Sequence, residues 1–247
     1  SNYGDFYRGE IIVDSNGNAY VASSSNSPNF PTSAGCYQSI NAGGQDGVVF
    51  KMNANLSVLE WSTYLGSAGG DAAFGIRLDN NNNTFITGAA EANFPTTTSS
   101  ANPNFIGGTR DAFIAKLNPT ATTLLASSYY GSIADDASFF LDIDANNDIY
   151  IYGQNAGFIP ITAGCYGTAN SSQFIAKFNN NLTTINWQTT IGSGSIGGFG
   201  DFIPIAFMVD ICENIYLSGH SASAGLFTTL DAFYTTGGFY LMSFTPN

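Results

Sequence analysis

The chain has 247 residues, 44% of them hydrophobic, enough to bury a sizeable core, so a disordered chain is excluded. Only 10% are charged, and with six Lys and Arg and a net charge of −12 it cannot build the basic patch that a polyanion requires, which sets nucleic acid aside. The nearest approach to a membrane span, Phe202 to Val209, contains Pro204 and is far shorter than the roughly 18 apolar residues needed, so no membrane insertion is expected.

Self-similarity organises the rest. Taken in chain order, IIVDSNGNAYVAS from Ile11, GIRLDNNNNTFITG from Gly75, LDIDANNDIYIYG from Leu141 and FMVDICENIYLSG from Phe207 align on Asp14, Asp79, Asp144 and Asp210, at steps of 65, 65 and 66. Each is followed by a second run: DGVVFKMN from Asp46, DAFIAKLNP from Asp111, QFIAKFN from Gln173 and GFYLMSFTPN from Gly238. In these runs Lys51, Lys116 and Lys177 are equivalent and Ser243 breaks the series. A third series, WSTYLG from Trp61, SSYYG from Ser127 and WQTTIG from Trp187, completes three of the units.

Every unit thus predicts four short strands rich in β-branched and aromatic residues, and no helical period persists for three turns. The expected class is all-β: a β-propeller of four-stranded antiparallel blades of about 65 residues, four copies being seen, as part of a larger propeller. The repeats are expected at about 1–66, 67–131, 132–192 and 193–247, the last incomplete, in a single propeller domain or part of one. A typical blade repeat is about 40 to 45 residues. The surplus lies between the second and third strands, in SSNSPNFPTSAGCYQSINAGGQ, AAEANFPTTTSSANPNFIGGTR and QNAGFIPITAGCYGTANSS. These loops are expected to crowd one face of the scaffold together with the Gly-rich fourth-to-first connections, where binding residues usually sit.

The Gly-Asp turn, the Asp-x-x-Gly-Asn-x-Tyr-Val hairpin, the Phe-Pro-Thr loop, the Asp-Ala-Phe-x-Ala-Lys strand and the Ser-Thr-Tyr-Leu-Gly strand together resemble the bacterial propeller repeats known as SBBP. The fourth copy is similar to the variant found in large surface proteins of gliding Bacteroidota. The resemblance implies export to the cell surface through the type 9 secretion system, a link to gliding motility, and a place within a longer multidomain chain. The absence of an initiator Met and of a signal peptide gives the same expectation of a longer chain.

Candidate sites follow from the repeat. Asp14, Asn16 and Asn18, Asp79, Asn81 and Asn83, and Asp144, Asn146 and Asp148 have the oxygen-rich spacing of a calcium loop and equally that of a hairpin turn whose Asp and Asn bond their own backbone. Asp5, Asp71, Asp136 and Asp201 recur in the Gly-rich connections, with Asp46 and Asp111 at the third strands, as a ring of carboxylates that could cap turns or hold a cation or a sugar. Phe30 and Pro31, Phe94 and Pro95, and Ile159 and Pro160 open the long loops and complete the binding-face candidates. The loop aromatics Phe30, Phe94, Phe105 and Phe158 are expected to pin the loops to their blades. Trp61 and Trp187 are read as blade packing, with Ser127 or Ser128 in their place in copy two.

No catalytic residue is expected. Glu91, Asp135, Asp136 and Glu213 do not stand out as a glycosidase pair, and His220 is the only histidine, read as a loop residue. Cys36 and Cys165 are expected free and buried, and Cys212 is expected to pair outside this segment. The function expected is a non-catalytic scaffold or adhesion platform at the bacterial surface, with a surface protein or glycan, the secretion machinery and other domains of the chain as partners. No cofactor is expected, apart from calcium if the turns hold it. A glycan-active enzyme and a calcium-stiffened repeat array are the alternatives.

Overall fold

The computed structural model describes residues 8–196, 202–221 and 238–245. Among these residues fifteen strands form four antiparallel sheets, each a meander in chain order. Blade 1 holds β1 (Glu10–Val13), β2 (Ala19–Ser25), β3 (Asp46–Met52) and β4 (Leu59–Leu65). Blade 2 holds β5 (Ala72–Leu78), β6 (Thr84–Ala90), β7 (Asp111–Leu117) and β8 (Leu124–Tyr130). Blade 3 holds β9 (Asp136–Ile143), β10 (Ile149–Asn155), β11 (Gln173–Phe178) and β12 (Ile185–Ile191). Blade 4 holds β13 (Phe202–Val209), β14 (Ile215–Ser221) and β15 (Phe239–Phe244). The fold is all-β, with the blade architecture expected from the repeat.

Registers repeat with the sequence. Lys51, Lys116 and Lys177 lie opposite Tyr20, Phe85 and Tyr150, and Ser243 takes the same place opposite Tyr216. On the other side of the third strand, Lys51 and Lys177 face Trp61 and Trp187, while Lys116 faces Ala126. The residue of copy two equivalent to the tryptophans is therefore Ala126, not Ser127 or Ser128, which is also where the repeat step of 65 from Trp61 falls. His220 belongs to β14, opposite Phe239, and not to a loop.

Hydrophobic clusters join successive blades: one packs Tyr20, Val49 and Trp61 against Ile76, Ile86 and Phe113. The next joins Phe85 and Ile114 to Leu141 and Phe174, and the third joins Tyr152 and Ile175 to Phe207 and Tyr240. Each interior blade buries both faces, which is why its strands do not alternate apolar with polar. Along β6, β7, β10 and β11 every residue is buried.

Candidate functional site

Strand direction puts two kinds of connection at opposite ends of each blade. The end carrying the first-to-second and third-to-fourth turns holds the Asp-x-Asn-x-Asn motifs. Asp14 Oδ1 accepts the amides of Asn16 and Asn18, both at 2.9 Å, and its Oδ2 accepts the Asn18 side-chain amide at 2.9 Å. Asp79 repeats all three bonds with Asn81 and Asn83, and Asp210 does so with Cys212 and Asn214. Asp144 keeps the two backbone bonds, to Asn146 and Asp148.

The lysine of the third strand reaches the same carboxylates. Lys116 Nζ lies 3.3 Å from Asp79 Oδ2, and Lys177 Nζ lies 2.9 Å from Asp144 Oδ2. Lys51 instead pairs with Glu60 at 2.8 Å. Each ammonium also sits over the ring opposite it, Tyr20, Phe85 or Tyr150. Burial pushes Asp79 up, but the bonds from Asn83 and Asn81 and the nearby Lys116 outweigh it and hold the carboxyl below its ordinary range. The turn carboxylates are thus occupied by amide donors and, in blades 2 and 3, by an ammonium.

At the other end the long loops do more than decorate a face. Their middle portions fold back along the outer strand: Ser33 N donates to Ser62 O at 3.1 Å, Thr97 N to Ser127 O at 3.0 Å and Thr162 N to Gln188 O at 2.9 Å. A sheet edge that would otherwise present unpaired backbone is thereby covered. The loops of blades 1 and 2 then reach the next blade, where Tyr37 N donates to Ala121 O and Ala101 N to Leu182 O, both at 2.8 Å. Only the ends of each loop remain for the binding face.

The loop entry is pinned by a tyrosine of the fourth strand. Tyr64 OH donates to Ser27 O at 2.6 Å and accepts the Phe30 amide at 3.0 Å; Tyr129 OH does the same with Glu91 O and the Phe94 amide, both at 2.8 Å. Phe30 packs on Phe50 and Tyr64, and Phe94 on Phe113 and Tyr129, beside Phe105. Blade 3 differs from the expectation: Ile159 is buried, whereas Phe158 is 59% exposed. Phe158 stands one position before the pinning residue, where copies one and two have Asn29 and Asn93. Ile40 and Ile133 are exposed on the same face.

The ring of carboxylates lies beneath this surface. Asp71 Oδ2 accepts the Ser67 amide at 2.5 Å and hydroxyl at 2.8 Å, and its Oδ1 accepts the Glu91 amide at 3.0 Å. Asp136 accepts the Ser132 amide at 2.5 Å and its hydroxyl. Burial raises Asp71 and Asp111 to about 6 and Asp136 to about 8, with neighbouring carboxylates adding to the rise. Asp5 and Asp201 lie outside the described residues, as does most of the fourth copy's loop.

Glu91, just after β6, and Glu213, in the turn before β14, sit at opposite ends of their blades, and Glu213 is engaged by Lys177 at 3.0 Å. Cys36 and Cys165 are free but only half-buried, since they sit where the loops cross the outer edge; Cys212 is exposed in its turn. Sequence reasoning missed the Lys–Asp clamp, and spacing alone does not show it: lysine follows aspartate by 37 residues in copy two and by 33 in copy three, and by 37 in copy one, where Lys51 pairs with Glu60 instead. Among the described residues no cluster of three or more His, Cys, Asp and Glu side chains could hold a metal, and no helix is long and apolar enough to cross a membrane.

Residues 2–31 match the family model of the SBBP beta-propeller repeat, a stretch that runs through β1 and β2 to the Phe30-Pro31 loop entry. No curated protein matches the chain.

Proposed function

We propose that the chain is a non-catalytic propeller module of an exported bacterial surface protein, serving as a binding platform for a surface glycan or protein through its loop-bearing face. The observation that carries the reading is the fixing of the loops. The loops of blades 1 and 2 are tied to their own fourth strands and to the next blade, and that of blade 3 to its own fourth strand, so the residues at the loop ends are presented on a rigid frame. Exposed Phe158, Ile133 and Ile40 on that face offer apolar and aromatic contacts with little ordering cost. The secretion route and the link to gliding come from the resemblance of the repeats.

The test is a glycan array probed with the labelled chain, followed by analysis of bound oligosaccharides for cleavage. The platform reading expects capture without product, reduced at least tenfold by Phe158→Ala together with Ile133→Ala. Released product, or capture unchanged in that variant, contradicts it.

A further inference from the structure

The two ends of the blades treat their carboxylates differently. At the turn end Asp79 and Asp144 each have a lysine. At the loop end, Asp46 with Asp71 and Asp111 with Asp136 are buried at two successive blade junctions, and none of the four meets an ammonium or guanidinium among the described residues.

The two members of each pair are placed side by side by the backbone. The Asp71 amide donates to Gln45 O at 2.6 Å and the Asp136 amide to Arg110 O at 2.8 Å, and those carbonyls belong to the residues immediately before Asp46 and Asp111. Asp46 Oδ2 accepts from Ala42 N at 2.7 Å and Gln38 Nε2 at 3.0 Å; Asp111 Oδ2 accepts from Ile106 N at 2.5 Å and Gly107 N at 3.4 Å. In both blades the other oxygen, Oδ1, is buried with no hydrogen-bond partner.

The glycine that ends the fourth strand lies directly against one carboxylate of each pair, where a side chain would displace it. A Cβ on Gly66 would lie 2.5 Å from Asp46 Oδ1, and one on the equivalent Gly131 would lie 2.3 Å from Asp136 Oδ2. Two like charges withdrawn from water, one with an oxygen left unsatisfied, are strongly unfavourable unless positive charge joins them. Carboxylate oxygens in an irregular, part-backbone setting suit calcium, which accepts six to eight oxygens in flexible geometry, better than magnesium, which demands a near-ideal octahedron.

We propose that these junctions are two calcium seats, one between Asp46 and Asp71 and one between Asp111 and Asp136, with Asp46 Oδ1 and Asp111 Oδ1 as ligands. They lie at the opposite end of the blades from the Asp-x-Asn-x-Asn turns. At the next junction neutral Gln173 replaces the third-strand aspartate, and its Oε1 already accepts the Tyr152 and Tyr240 hydroxyls. Among the described residues there are therefore two such seats, each tying one blade to the next.

The chain is stripped with a chelator, dialysed against calcium at neutral pH and assayed for bound metal, with thermal melts in parallel. Two ions per chain and a melting temperature that climbs with the logarithm of free calcium are expected. Asp46→Asn and Asp111→Asn each remove one ion, the double variant binds none, and Asp14→Asn, in a turn, keeps both. Titration of the unmodified chain already decides if a variant does not fold: no uptake, or uptake at a stoichiometry other than two, overturns the proposal. Uptake that survives the double variant and is lost in Asp14→Asn assigns calcium to the turns and overturns it as well. The proposal rests on the junctions alone, so a chain that captures no glycan yet takes up two ions leaves it standing.

Discussion

Blades 2 and 3 and the outer blades 1 and 4 have the same sequence pattern and different surroundings. Ile11, Ile76, Leu141 and Phe207 occupy one position of the first strand, yet Ile11 is 62% exposed and Ile76 is 0% exposed. On the opposite blade face, Val49, Ile114 and Ile175 are buried while Leu241, at the same register, is 74% exposed. The third-to-fourth turns behave likewise. Ala121 and Leu182 are buried under the loop of the preceding blade, and the equivalent Leu56 is exposed, because among the described residues no blade precedes blade 1. Burial in a stacked array is set by the neighbours a unit has, so one side chain is worth several kcal/mol in the middle and little at the ends.

The sharpest way to break this comparison is through the lysines. Lys177→Met leaves Asp144, Asp148 and Glu213 around it without a counter-charge and should cost about 3–5 kcal/mol in chemical denaturation. Lys51→Met in blade 1, where the partner Glu60 is surface-exposed, should cost less than about 1 kcal/mol. Equal losses would show that stack position does not matter.

Next come the apolar positions. Ile114→Ala and Ile76→Ala should each cost about 2–5 kcal/mol, against about 0.5 kcal/mol or less for Leu241→Ala and Ile11→Ala, measured by the same unfolding curves. Within blade 3, Ile159→Ala should destabilise by about 2 kcal/mol or more, whereas Phe158→Ala should change stability by less than about 0.5 kcal/mol and act on ligand capture alone.

A smaller effect concerns pH. Asp71, Asp111 and Asp136 have folded values of about 6, 6 and 8, above the ordinary 3.8, so the folded chain holds protons that the unfolded chain has released. Their contribution is fully present below about pH 4 and is lost as pH rises, ending above about pH 8. The turn carboxylates Asp14 and Asp79 lie below 3.8 and act oppositely, stabilising above that value and failing in stronger acid. In chelator, melting temperature should therefore peak in mildly acidic solution and fall toward pH 9, at roughly 2–4 °C per kcal/mol lost. Asp136→Asn should flatten the upper part of that fall, and an unchanged slope would remove Asp136 from the account.

The sequence made the blade legible because strand pairing with a fixed register needs the same residues at the same place in each copy. Asp14, Asp79, Asp144 and Asp210 occupy one turn, and the lysine series lies opposite one ring position. What stayed hidden depended on contacts between copies. The course of the long loops around the blade edge leaves no periodic trace. Nor could spacing reveal that Asp46 and Asp111 each keep one oxygen without a partner, since that follows from which loop amides arrive and which do not.

Hydrogen exchange resolved strand by strand tests the stacked-blade account most directly. The account predicts that amides of β6, β7, β10 and β11, buried between neighbouring blades, exchange only through opening of the whole array, while those of β1 and β15 exchange far faster. Equal protection in the outer and interior strands, or slower exchange in β1 and β15, would contradict it.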